Sequence, residues 1–254
     1  MTEPTTAPTK DTMTARTVMI GSRDGTEIEA YLVTADDAGR RGGVVVIHHM
    51  PGYDRSTKEI ARRFAELGYD ALCPNLYWRQ APGAEPSDAA AAVRAQGGLP
   101  DTQLVDDVAG AAAYLRGQEW SNGKVGVIGY CSGGRQSVLA ACRLDLDAAV
   151  DCYGALVVGE VPPDSPLKIK NLVDDLPNLS APLLGLFGND DKNPAPQQVD
   201  ELDQRLTELG KPHEFHRYDD AGHGFFSPDR PSYRVAAVND GWERIEDFFG
   251  THLS

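Results

Sequence analysis

The chain has 254 residues, 41% of them hydrophobic, and a net charge of −14. That length and apolar content suffice for one large α/β domain with a substantial core, while the acidic balance argues against a nucleic-acid or anionic-membrane surface. No run approaches the ~18 apolar residues of a membrane span, and the opening MTEPTTAPTKDTMTA lacks the apolar core of a signal peptide.

Residues 1–15 are therefore expected as a disordered lead-in, with 16–254 forming a single cytoplasmic domain. RTVMIGS and TEIEAYLV alternate apolar and polar residues around a turn at Arg23-Asp24-Gly25, the pattern of an antiparallel hairpin. GGVVVIH (42–48) is apolar throughout, as strands buried on both faces are. A capping box, Ser56-Thr57-Lys58-Glu59, opens a helix carrying Ile60, Phe64 and Leu67 on one face and ending at Gly68.

The alternation then repeats. YDALCP (69–74) reads as a strand, 75–100 as a loop-rich segment, and 101–116 as a helix with Leu104, Val108, Ala112 and Leu115 aligned. KVGVIG is a strand followed by a helix from about Ser132 to Cys142. LDAAVDCYG (146–154) and APLLGLFG (181–188) are further strands, separated by a second loop-rich segment, 155–180. A helix over 196–209, the strand HEFHRYD and a closing helix bearing Val235, Val238, Trp242, Ile245 and Phe249 complete the chain. Strands alternating with helices predict a doubly wound, mostly parallel sheet, with ligands bound at the carboxyl ends of the strands.

The chemistry centres on GYCSGG. Gly129 and Gly133 flank Cys131 at −2 and +2, as a strained strand-to-helix turn requires when it lifts a nucleophile above a sheet. A helix N-terminus there favours a thiolate. Ser132 is the weaker rival, because Tyr130 occupies its −2 position. A nucleophile needs a base and the base an orienter. GLFGNDDKNPAP supplies Asp190 or Asp191 just past a strand, with Asp191 taken because it stands fourth in Gly-x-x-Asp. YDDAGHGFF then supplies His223, in the chain order nucleophile, acid, histidine.

Elsewhere the residues offer less. His213 and His216 fall on opposite strand faces and make no metal pair, and His252 lies in the tail. Cys73, Cys131, Cys142 and Cys152 lack the spacing of a zinc site or a disulfide framework. Neither a metal nor a cofactor is expected.

SNGKVGVIGYCSGG, ALCPNLYWRQAPG and YDDAGHGFF together resemble the dienelactone hydrolase (carboxymethylenebutenolidase) family, over residues 17 to 250. The resemblance implies an α/β-hydrolase fold and hydrolysis of a lactone or ester through an acyl-cysteine on Cys131, with His223 as base and acid and Asp191 orienting it. It implies an oxyanion hole from the amides of Met50 and Ser132, and a substrate carboxylate held by Arg79, with Tyr130, His49 and Arg230 also at the substrate. Arg79 would supply the local basic pocket that an anionic substrate needs in an acidic protein.

Two positions depart from the family pattern. His49 stands where a glutamate is usual, implying a more ionised Cys131. Ser227 replaces a second arginine, a role open to Arg230 if SPDRPSY folds back. These departures keep a broader ester hydrolase in view, with a thiol redox sensor or a non-catalytic protein on the same scaffold as the remaining alternative. The implied partner is a small-molecule lactone or ester, on a monomer or small homo-oligomer.

Overall fold

The computed structural model describes residues 12–36 and 39–254. Residues 1–11 of the expected lead-in lie outside the described residues. The strand β1 (Met13–Gly21) begins inside that expected lead-in, because Met13, Thr14 and Ala15 pair with Ala35, Thr34 and Val33 of β2 (Glu27–Ala35). Length of the partner strand, more than local polarity, sets where pairing starts.

Six further strands follow: β3 (Arg41–Ile47), β4 (Asp70–Pro74), β5 (Ser121–Tyr130), β6 (Ala148–Cys152), β7 (Leu183–Gly188) and β8 (His213–Tyr218). The sheet runs β1-β2-β4-β3-β5-β6-β7-β8. Pairs β1–β2 and β2–β4 are antiparallel and the rest parallel. The chain passes outward from β3 to β4 and then back across β3 to β5, so a crevice opens above the β3–β5 boundary, where such sheets bind ligands.

Burial on both faces explains the apolar strands. Val44 and Val46 of β3 face one apolar cluster, with Phe64 of α1 (Arg55–Glu66) and Trp242, Ile245 and Phe249 of α6 (Val235–Leu253). Val45 and Ile47 face the other, with Leu104, Val108 and Leu115 of α3 (Asp101–Arg116) and Val138 of α4 (Ser132–Arg143). Leu202 and Leu206 of α5 (Pro196–Glu208) extend this second layer. A ring as fully enclosed as Phe64 or Phe249 contributes about 2–3 kcal/mol by burial.

Two local expectations are corrected. The α1 cap is Asp54, whose Oδ1 accepts from Thr57 N at 2.9 Å and Thr57 Oγ1 at 3.0 Å, while Glu59 pairs with Arg62. Aspartate two residues ahead of the possible cap Ser56 takes the role because its carboxylate also suits the helix dipole. Within the segment expected as loop lies α2 (Pro86–Ala95). Its run of alanines forms helix by propensity, with Pro at the first helical position, and carries too weak an apolar stripe to show by periodicity. Among the described residues no helix is long and apolar enough to cross a membrane.

Candidate active site

Between β5 and α4 the chain makes the tight turn that the flanking glycines imply. Cys131 has φ 57° and ψ −120°, a region other L-residues avoid, at a cost on the order of 1–3 kcal/mol. The strain is held from both sides. Cys131 N donates to Cys152 O at 3.0 Å, and Gly134 N donates to Cys131 O at 3.0 Å. A Cβ on Gly129 would lie 1.9 Å from Gly133 O, and one on Gly133 would lie 2.7 Å from Ile47 O. Only bare backbone lets the strand, the turn and the helix approach this closely. The sulfur therefore stands at the positive end of α4.

The loops after β7 and β8 converge on it. His223 Nε2 lies 3.0 Å from Cys131 Sγ, and His223 Nδ1 lies 2.9 Å from Asp191 Oδ2. Asp191 Oδ1 accepts from Asn193 N at 2.9 Å, so both carboxylate oxygens are oriented and the side chain is nearly enclosed. Of the adjacent aspartates, both of which line the cavity, Asp191 is the one bonded to the imidazole. Burial alone would lower the His223 pKa, but the bonds to Asp191 and Cys131 outweigh it and push the imidazole up to about 10. At neutral pH the ring is an imidazolium beside the sulfur.

Met50 and Ser132 both line the cavity that holds Cys131 and His223. Neither backbone N–H has an acceptor among the described residues, which leaves two donors beside the thiol, the requirement for receiving an oxyanion. The Met50 loop is braced from behind. Tyr77 OH donates to Met50 O at 3.1 Å. His48 accepts from Leu76 N at Nε2, 3.3 Å, so its proton is on Nδ1, which donates to His49 O at 2.9 Å. Complete burial lowers the His48 pKa to about 4, and this ring is a neutral structural element. The cavity measures about 510 Å3 and is walled by apolar groups, among them Tyr77, Leu99, Leu156, Leu167 and Ile169.

Four expected substrate contacts lie elsewhere. Arg79 is committed to an ion-pair network: Nη1 donates to both oxygens of Asp107 at 2.6 and 2.7 Å, and Nη2 to both oxygens of Asp24 at 3.0 Å. It does not line the cavity, because the Asp107 side chain is 0% exposed and an ionised carboxylate there requires a cation. His49 Nε2 sits 2.6 Å from Asp54 Oδ2 and faces a neighbouring cavity of about 420 Å3. Burial would raise the Asp54 carboxyl, but His49 and Thr57 pull it down to about 2, so this imidazole answers to Asp54 and not to the thiol. Tyr130 lines the same second cavity, packed on Phe226 with ring centroids 5.5 Å apart.

Arg230 is nearer. The loop does fold back, with Ser232 Oγ donating to His223 O at 2.9 Å and the Arg230 stem passing over Gly224. Its guanidinium is still outside the set of groups lining the thiol cavity. The arginine and lysine side chains that do line it are Arg94, Arg135 and Lys192, none of which was singled out from sequence. Arg135 was legible there, since i+4 from Cys131 places it one helical turn along the same face.

Comparison with known proteins agrees with this architecture. The dienelactone hydrolase family matches residues 28–253. A protein of Methylorubrum extorquens provisionally named carboxymethylenebutenolidase is 35% identical, over 91% of this chain and 79% of its own length. The carboxymethylenebutenolidase of Rhodococcus opacus is 29% identical, over 91% of this chain and 89% of its own. A crystal structure from Klebsiella pneumoniae, provisionally named a dienelactone hydrolase, superposes with TM-score 0.82 at 30% identity, covering 94% of this chain and 99% of that one.

Proposed function

The chain belongs to the dienelactone hydrolase family of α/β hydrolases acting on ester bonds, and from that premise we propose that it cleaves a lactone or carboxylic ester through an acyl-cysteine on Cys131. The observation that carries this reading is the unbroken chain of contacts from Sγ through His223 to Asp191.

In this reading the thiolate attacks the carbonyl carbon, and the oxygen that becomes negative is received by the amides of Met50 and Ser132. Collapse of the tetrahedral species breaks the C–O bond, and His223 Nε2–H protonates the departing oxygen. Neutral His223 then takes a proton from water, whose hydroxide attacks the thioester. Collapse expels the thiolate and frees the acid, which loses its proton to solvent, leaving Cys131 as a thiolate beside the imidazolium that His223 already became on taking the water proton. Asp191 keeps the ring in one orientation and stabilises its charge throughout, as the third member of such triads does.

An activated ester suits this nucleophile. A thiolate is itself a good leaving group, so an enol or phenol competes well with it at the collapse step, whereas a poor leaving group would lose. A broader ester hydrolase is the second reading, favoured by one observation: Arg79, the arginine expected to hold a dienelactone carboxylate, is engaged by Asp107 and Asp24.

The test follows the ultraviolet absorbance of a dienelactone and of a simple aryl ester with wild type and Cys131→Ala. Lactone loss that disappears in the variant supports the thiol mechanism on a dienelactone. Ester cleavage alone, again lost in the variant, supports the second reading. Turnover surviving in Cys131→Ala would refute both.

A further inference from the structure

Resting on the hydrolysis proposed above, we infer that Arg94, in place of the committed Arg79, is the residue that meets an anionic group of the ester or lactone, at the cavity mouth beside α2.

The protein carries 38 acidic side chains against 24 basic ones, and carboxylates hold several of its arginines, Arg79 and Arg135 among them. Three arginine or lysine side chains line the cavity that holds the thiol. Arg135 is spent, donating to Asp101 Oδ1 and Oδ2 at 2.8 and 2.9 Å and to Lys170 O at 2.6 Å. Lys192 also has no ion pair among the described residues, but Asp190, two residues away, lines the same cavity. Arg94 has no ion pair among the described residues and is exposed where it lines the cavity.

Its surroundings are built to keep it there. Arg94 is in the last turn of α2, where a cation complements the helix dipole. The end of that helix is tied to the opposite loop, with Lys168 N donating to Gly97 O at 2.7 Å and the Lys168 stem lying against Gly97. Tyr77 bridges the distance to the nucleophile. Burial pushes its phenol up, Arg94 pulls it down and Cys131 pushes it up again, so one ring lies within electrostatic reach of both.

Tyr77, Val93 and Leu99 give the same cavity apolar wall. A cavity of about 510 Å3 is in the range that encloses a ligand of drug-like size. A substrate that fills it can place its scissile carbonyl at Cys131 and a carboxylate against the guanidinium, a geometry in which arginine makes paired hydrogen bonds.

The probe is a matched set of aryl esters. One pair is para-nitrophenyl hexanoate and the para-nitrophenyl half-ester of adipic acid, alike except for the terminal carboxylate. A second pair, phenyl acetate and the acetate ester of para-hydroxybenzoate, moves the charge to the leaving group. In at least one pair the ratio of kcat/KM for the anionic over the neutral ester should fall about tenfold in Arg94→Gln, through KM, and be partly restored in Arg94→Lys. High salt should lower the same ratio in wild type. An unchanged ratio in both pairs overturns the inference, as does a loss produced by Lys192→Gln in its place. Turnover that survives Cys131→Ala would refute the hydrolysis reading itself and the inference with it, an outcome distinct from an unchanged ratio.

Discussion

Replacing Arg79 with glutamine separates a structural arginine from a substrate-binding one. Asp107 accepts two hydrogen bonds from this guanidinium and its side chain is 0% exposed, whereas the second partner, Asp24, is 39% exposed and contributes little. Breaking a buried pair from one side costs about 3–5 kcal/mol. The folded protein can limit that loss by protonating Asp107, whose carboxyl burial already holds above the usual carboxylate range. Neutralising a carboxyl of ordinary pKa costs ~1.4 kcal/mol per pH unit above its pKa, which caps the loss near ~4 kcal/mol at pH 7 and ~1.5 kcal/mol at pH 5.

The sign follows from linkage. A carboxyl whose folded pKa exceeds its unfolded value favours the folded state at low pH, and that advantage fades as pH rises through the interval. Urea denaturation by tryptophan fluorescence at pH 5 and pH 7 should therefore show Arg79→Gln losing more at pH 7, with a melting temperature lower by about 10 °C there. The double variant Arg79→Gln/Asp107→Asn should recover most of the loss. A variant as stable as wild type at pH 7, yet selectively poor on carboxylate-bearing esters, would refute this account and return Arg79 to the substrate.

The other predictions address the site and its support. Because Asp191 is a main reason the His223 imidazole is raised to about 10, Asp191→Asn should bring the alkaline limb of kcat/KM to lower pH. For stability the same shift acts below the unfolded His pKa and fades as pH rises through about 10; an alkaline limb at the wild-type position would sink the assignment. Gly129→Ala, with its Cβ 1.9 Å from Gly133 O, should cost at least ~3 kcal/mol in thermal unfolding; a melting temperature within error of wild type would falsify the close-approach argument. Asp151 on β6 is fully buried, accepts from Gly154 N at 2.6 Å with Oδ1 only, and is pushed up to about 7 by burial. It costs stability as pH rises toward 7, so Asp151→Asn, which keeps the acceptor, should stabilise more at pH 8 than at pH 5 in urea titrations.

Why some of these residues were legible in the sequence and others were not has a physical answer. Cys131, Asp191 and His223 each follow a strand that is hard to mistake, VGVIG, LLGLFG and HEFHRY, and each stands within three residues of a glycine. Parallel strands in register carry their carboxyl ends to one edge, so chain order alone brings the three together. The side chains that went elsewhere are directed by partners remote in sequence. His49 adjoins β3, but the period-two alternation holds only while the ladder lasts: past Ile47 the chain turns, His48 packs on Tyr77 and His49 swings to Asp54. Arg79 was taken by Asp107, for which one signal was available, a carboxylate on the buried face of α3 among Leu104, Val108 and Ala111. Arg94 was passed over because an alanine-rich helix shows no stripe to say which way it faces. The basic character of a pocket in an acidic protein is what remains after buried carboxylates have claimed their cations, and that subtraction can be done only once the fold has shown which carboxylates are buried.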